Sequence, residues 1–162
     1  MYAYVADPLT QTDVLGLSEG SGTLGDRMVR TGQTQGVSPF NRSEFRAHHV
    51  IPHETWTQNQ SFFDDIGLGK KANCFNPKDA SANGVFLPKN ETVGATHGFD
   101  YYHNGSHPTV NTNMRLNVED VRDRYNNGDI NKLQARKEIS ALQKAERQRL
   151  STRSGGPCGK VS

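Results

Sequence analysis

The sequence predicts an α+β fold: a small ββα core with additional helices and an irregular N-terminal segment. Three observations predict it. Two short apolar runs, Val50-Ile51 and Val85-Phe86-Leu87, are each closed by a proline, Pro52 and Pro88, which cannot extend a strand's hydrogen bonding. From Pro108 onward, apolar residues recur at helical spacing. The chain has 162 residues, 33% of them hydrophobic and 16 of them Gly, which suits one modest, loop-rich core.

Taken in order, Tyr2, Tyr4 and Val5 favour a strand that Pro8 and Gly16 cut short, and residues 1–17 look like a fragment of something else. Residues 18–36 are dominated by Ser, Gly, Thr and Gln, so 18–39 is expected to be a flexible linker. The core is expected over 40–126. Val50-Ile51 fits its first β segment, ended by Pro52. Phe62, Phe63 and Ile66 lie at helical spacing, with Gly67 or Gly69 as the stop, and Trp56, Phe62 and Phe63 are expected in the core, with base-stacking platforms as the alternative. Residues 84–87 give the second strand, with Gly84 for a tight turn. Gly94 to Ser106 reads as a loop rich in Gly, His and Tyr. Pro108 suits the first turn of a helix whose buried face is Val118, Val121 and Tyr125. Asn126-Asn127-Gly128 breaks it. Asp129 is the expected cap of a last, basic helix (127–150) with Ile130, Leu133, Leu142 and Ala145 on its apolar side. Residues 151–162 read as a disordered tail.

No apolar run approaches the ~20 residues that span a bilayer, so no membrane partner is expected. Met1-Tyr2-Ala3-Tyr4 lacks the basic and apolar regions of a signal peptide. Cys74 and Cys158 make no disulfide framework; both are expected reduced, and neither as a zinc ligand. The net charge of +2 hides an asymmetry: Arg115 to Arg153 carries ten Lys/Arg against six Asp/Glu, whereas Met1 to Met114 carries eight against eleven. A basic C-terminal third favours a polyanionic partner; the alternative on charge alone is a solvated helix of mixed charge.

The residues that carry chemistry are the histidines. His48 and His49 stand together in Phe45-Arg46-Ala47-His48-His49-Val50-Ile51-Pro52, and His103-Asn104-Gly105-Ser106-His107-Pro108 follows downstream. One imidazole can bind a metal, its neighbour can take a proton from water, and a distant pair can complete the coordination shell. These parts suit metal-assisted cleavage of a phosphodiester.

Ala47-His48-His49 followed by Val-Ile-Pro, then Asn83-Gly84-Val85-Phe86-Leu87-Pro88, then His103-x-Gly-x-His107-Pro108, resemble the AHH family of the HNH/endonuclease VII superfamily of ββα-metal (His-Me finger, treble-clef) nucleases. The resemblance covers roughly Arg46 to Tyr125. Tyr2-Ala3-Tyr4-Val5, with Asp7-Pro8-Leu9 and Asp13-Val14-Leu15-Gly16-Leu17, is similar to the segment that closes the core of Rhs/YD-repeat proteins, with Val14 where proline is usual. That second likeness implies the C-terminal toxin tip of a larger secreted bacterial protein. Such a tip is an effector delivered into the cytoplasm of a target cell, often by type VI secretion. Its partners would be the parent Rhs shell and a cognate immunity protein.

The family resemblance assigns His49 as general base and His48 as first metal ligand, with His103 and His107 as the remaining ligands. A spacing of four puts His103 and His107 on one helical face, and Gly105 between them lets His103 reach in from the preceding loop instead. Consecutive strand residues point to opposite faces, so His48 and His49 can serve one site only if the strand ends or bulges there. Asn83 matches the central Asn of the superfamily motif, which contributes an oxygen to the metal shell or bonds the loop that positions the base. As an Asn-Gly pair it also reads as a turn residue. Arg46 is the candidate for neutralising a substrate phosphate, with a solvated Arg as the alternative, His53 is expected exposed near the site, and His97 is a rival to His103. Tyr101 and Tyr102 are divided between packing and substrate contact. One divalent ion per site is implied, Mg, Mn, Zn or Ni; imidazole ligands favour Zn or Ni in affinity. DNA is the preferred substrate because the mechanism needs no 2′-hydroxyl. An RNase on the same scaffold and a non-enzymatic module stapled by zinc are the alternatives.

Overall fold

The computed structural model describes residues 19–71, 76–105 and 108–161. The architecture is α+β, and its centre is an antiparallel pair of strands, β1 (Phe45–His49) and β2 (Gly84–Pro88), with Phe45 opposite Pro88 and His49 opposite Gly84. Alternation along the strands sends Phe45, Ala47 and Phe86 into one apolar cluster and Val85 and Leu87 into another. Helix α1 (Glu19–Arg30) covers the first face with Leu24 and Met28, both fully buried. On the second face lie α2 (His53–Gln58), α3 (Gln60–Asp65), α5 (Pro108–Asn126) and α6 (Lys132–Leu150). They contribute Trp56, Phe62, Phe63, Val118, Val121 and Ile139 to the larger cluster. The hairpin is therefore the middle of three layers. Trp56 stacks on Phe63 with ring centroids 4.0 Å apart.

Several elements differ from the sequence reading. Residues 19–30, expected within a flexible linker, form α1. The sequence signal is only Leu24 and Met28, four apart, and the surrounding Gly, Ser and Thr mask it. The first strand lies at 45–49 rather than at Val50-Ile51, so both motif histidines are within it; Val50 and Ile51 are core plugs just beyond. The loop expected over 94–106 contains the end of α4 (Glu91–His97) and the short strand β3 (Tyr101–Tyr102). Asn90 caps α4 by accepting from the Val93 N–H, and Gly98 ends it at φ +73. Asn131, not Asp129, caps α6, in a capping box with Gln134. The stripe that α6 buries is Ala135, Ile139, Gln143 and Leu150, while Leu133 and Ala145 are exposed.

Residues 151–161 have defined packing partners where a disordered tail was expected. Strand β4 (Gly159–Lys160) runs parallel to β3, Val161 is buried in the main core, and Cys158 is buried and free. The Asp100 carboxylate accepts from the Ser154 N–H and hydroxyl, and Arg153 lies 4.4 Å over the Phe99 ring. These are long-range partners, which a Gly/Pro-rich composition does not reveal. The region expected to end a larger protein's core, residues 1–17, lies outside the described residues. No helix among the described residues is long and apolar enough to cross a membrane.

Gly84 is also explained differently. Its φ of −123 is open to any residue, so no tight turn requires glycine there. What requires it is α1: a Cβ at Gly84 would overlap Met28 Sδ and crowd Leu24 Cδ1. Gly84→Ala is expected to lower stability by about 1–3 kcal/mol, the usual cost of overpacking. Urea unfolding of the variant beside the wild type measures it, and an unchanged midpoint would mean that α1 does not press on β2.

Candidate active site

Strand β1 carries Arg46, His48 and His49, and it ends at His49. His48 is 7% exposed, and its ring centroid lies 5.1 Å from that of His103. His103 reaches this position from the chain beyond β3, anchored by its N–H to the Pro88 carbonyl at 2.8 Å. It is thus placed by a loop before α5, not by a helical turn. His49 makes a different contact, with Nε2 2.9 Å from Asp79 Oδ1. Alternation gives the two rings different partners, and β1 ends at His49, which is the condition under which both can serve one site at the strand's end. Arg46 shares the His48 face, opposite Leu87, and is half-buried.

Two imidazoles that share one ion, with metal–nitrogen bonds of about 2.0–2.1 Å, have centroids about 5 Å apart. The His48–His103 pair fits that spacing. His107 and Cys74 lie outside the described residues. Among the described residues, no group of three or more His, Cys, Asp or Glu is placed to hold a metal. His97 stands elsewhere: its Nε2 is 3.1 Å from Glu44 Oε2 and its ring lies 5.3 Å from Phe45, at the far end of β1. The ring that meets His48 is that of His103.

Asn83 is fully buried, and its side chain ties three segments together. Its Oδ1 accepts from the Ile51 N–H at 2.8 Å and from Gln143 Nε2 at 3.2 Å. Its Nδ2 donates to the Ile51 carbonyl at 3.0 Å and to the Lys78 carbonyl at 2.8 Å. A primary amide has two donor hydrogens and two acceptor lone pairs, and all four are used within the protein. Of the two roles considered for Asn83, the geometry is that of the loop bond, not of an oxygen turned to a metal. One arm of that bond is the chain leaving His49, and the other is the loop before β2.

That loop brings in residues the sequence reading missed. Pro77–Asp79 form a 3-10 turn capped by Asn76, whose Oδ1 accepts from the Lys78 N–H. Lys78 is buried, and its Nζ lies 2.6 Å from Asp79 Oδ1. Arg27 of α1 donates to the carbonyls of Asn76 and Asp79 at 3.3 and 3.1 Å. Asp79 is 30 positions from His49, and the only local hint was the Asn-Pro turn signature at Asn76-Pro77. His53, at the start of α2, is held below the ordinary imidazole pKa by partial burial and then by the nearby charge of Lys78.

Burial raises the Asp79 carboxyl, but hydrogen bonds from His49 and Lys78 outweigh it and hold the pKa at about 2. A carboxylate depressed in the folded state contributes stability that is fully present above its unfolded value, near 4. That stability is lost as pH falls toward 2. Wild type and Asp79→Asn are therefore expected to differ by about 2 kcal/mol at pH 7 and to converge between pH 4 and about 2. Urea midpoints across that range test this, and a gap that does not close would remove the carboxylate from the account.

The basic C-terminal third uses part of its charge internally. Arg147 donates to the Gly84 and Ala82 carbonyls, Arg149 pairs with Glu146 and lies over Tyr101, and Arg124 pairs with Asp120 and Glu138. Tyr101 and Tyr102 are half-buried.

Residues 31–148 match AHH, described as a nuclease family of the HNH/ENDO VII superfamily with conserved AHH. The matched span takes in both strands of the hairpin, the Asp79 loop and most of α6; α1 precedes it. No curated protein and no solved structure matches the chain.

Proposed function

Because the chain belongs to the AHH nuclease family of the HNH/ENDO VII superfamily, we propose that this nuclease is a metal-dependent endonuclease that hydrolyses DNA. The observation that supports the reading most is the convergence of His48 and His103, 5.1 Å apart, beside the strand-terminal His49. In this reading the scissile phosphate lies across the end of β1, and Arg46 neutralises its charge. His49 accepts a proton from the attacking water as the water oxygen bonds to phosphorus and the bond to the 3′-oxygen breaks. The 3′-oxygen leaves with a proton from solvent, so the products carry a 5′-phosphate and a 3′-hydroxyl. His48 and His103, with His107 as the third ligand that the family resemblance implies, would hold a divalent ion, and such an ion would supply charge stabilisation to the phosphate as the 3′-oxygen leaves. Asn83 holds the chain beyond His49 and touches no substrate.

In its biological setting the chain is read as a toxin tip of an Rhs-type effector, acting in the cytoplasm of a target bacterium and neutralised in the producer by an immunity protein. The support for this is the sequence of residues 1–17.

Matched DNA and RNA substrates, incubated side by side with the same protein and ion, test the substrate. Cleavage of DNA that weakens steeply as salt rises is expected, because duplex contacts are mainly to phosphates. Cleavage of RNA alone would overturn the DNA reading and leave an RNase on the same scaffold.

A further inference from the structure

We propose that Asp79 is a positioning residue for the nuclease reaction: its carboxylate fixes the proton of the His49 imidazole on Nε2 and so presents Nδ1 to the attacking water. The proposal rests on the reading of His49 as general base. It deepens that reading by naming the group that orients the base and the ring nitrogen that does the work.

The geometry carries it. A neutral imidazole has one N–H and one bare nitrogen, and the partner of one nitrogen decides which is which. Here Nε2 stands 2.9 Å from Asp79 Oδ1. An ionised carboxylate is only an acceptor, so Nε2 must be the donor and Nδ1 the base. Asp79 stays ionised because Lys78 Nζ contacts the same Oδ1 at 2.6 Å. The pair is sheltered, with the His49 and Asp79 side chains 9% and 13% exposed. Water therefore competes little for the contact.

The carboxylate is itself braced. The Asp79 carbonyl accepts from Arg27, and the neighbouring Lys78 carbonyl accepts from Asn83 Nδ2. The same Asn83 grips Ile51, two residues past His49. Base and orienting group are thus tied to one buried amide, which fixes their separation. Lys78 sets the limit of the effect: it shares the charge of Oδ1, so Asp79 orients the ring without taking its proton.

The step balances simply. Water gives one proton to His49 Nδ1, its oxygen bonds to phosphorus, and the proton on Nε2 stays shared with Asp79 throughout.

The test begins with the wild-type protein. Nitrogen-15 NMR of the histidine rings near neutral pH, with His49→Ala used to assign the His49 signals, is expected to show the proton on Nε2. A proton on Nδ1 would overturn the proposal without any further variant. Kinetics on plasmid DNA then compare Asp79→Asn and Asp79→Glu with wild type. For Asp79→Asn, kcat is expected to fall about 10²-fold, within what general-base catalysis contributes, with KM little changed. Asp79→Glu is expected to recover part of the loss. A folded Asp79→Asn with wild-type kcat, or with the His49 tautomer unchanged, would overturn the proposal. If Asp79→Asn fails to fold, the wild-type tautomer and the glutamate variant decide. Cleavage retained by His49→Ala would instead sink the general-base reading itself, so the two failures are distinct.

Discussion

His49→Ala is expected to lower the rate of DNA cleavage by about 10²–10⁴-fold, the range that a positioned general base contributes. The protein should still fold, because the side chain is not part of either apolar cluster. Its bond to Asp79 leaves behind a carboxylate that Lys78 still pairs. Metal affinity should also survive, since His48 and His103 make their own contact. The decisive pattern is lost turnover in a protein that still unfolds cooperatively, with only the modest drop in thermal midpoint that loss of the Asp79 bond brings, and with unchanged ion binding by calorimetry. Turnover within a few-fold of wild type would contradict the assignment of the base.

Asn83→Ala should have the largest effect on stability. The substitution removes a buried amide that makes four hydrogen bonds and leaves the Ile51 N–H, the Ile51 and Lys78 carbonyls and the Gln143 amide to find new partners. Each unsatisfied buried group costs about 1–3 kcal/mol, and neighbouring losses are not additive, so a total of about 3 kcal/mol or more is expected. Activity should fall as well, because the chain after His49 and the loop that carries Asp79 are both released. Urea unfolding followed by circular dichroism measures the first effect. A variant with wild-type stability but weakened metal binding would restore the metal-ligand role that the geometry argues against.

The outline of the fold was legible because its strongest signals are local. Pro88 ends β2, Gly67 follows α3, and the Val118, Val121, Tyr125 spacing marks one face of α5. What was not legible depends on distant partners. The Leu24 and Met28 stripe means little until β1 and β2 supply the surface it covers. Gly84 looks like a turn glycine until Met28 is seen against it. Val161 and Cys158 lie in what reads as a tail, and β3 gives them a place.

The candidate site divides the same way. The adjacent pair His48-His49 and the downstream His103 stand out as residue types, and the fold brings the rings of His48 and His103 to 5.1 Å. Asp79 and Lys78 do not stand out, since an acid beside a lysine in a loop is commonplace. Only the loop between β1 and β2, held by Arg27 and Asn83, gives them a relation to His49. Asn83 stands out by its motif, but its role follows from four hydrogen bonds to partners distant in sequence or in the adjoining loop.

The most direct test of the central claim is nicking of supercoiled plasmid by protein stripped with a chelator and resupplied with Mg, Mn, Ni or Zn one at a time. Cleavage that is absent without an ion and restored by at least one of them is the predicted result, with His48→Ala losing both ion binding and cleavage. Cleavage that persists undiminished in excess chelator, or no cleavage with any ion, would contradict the account.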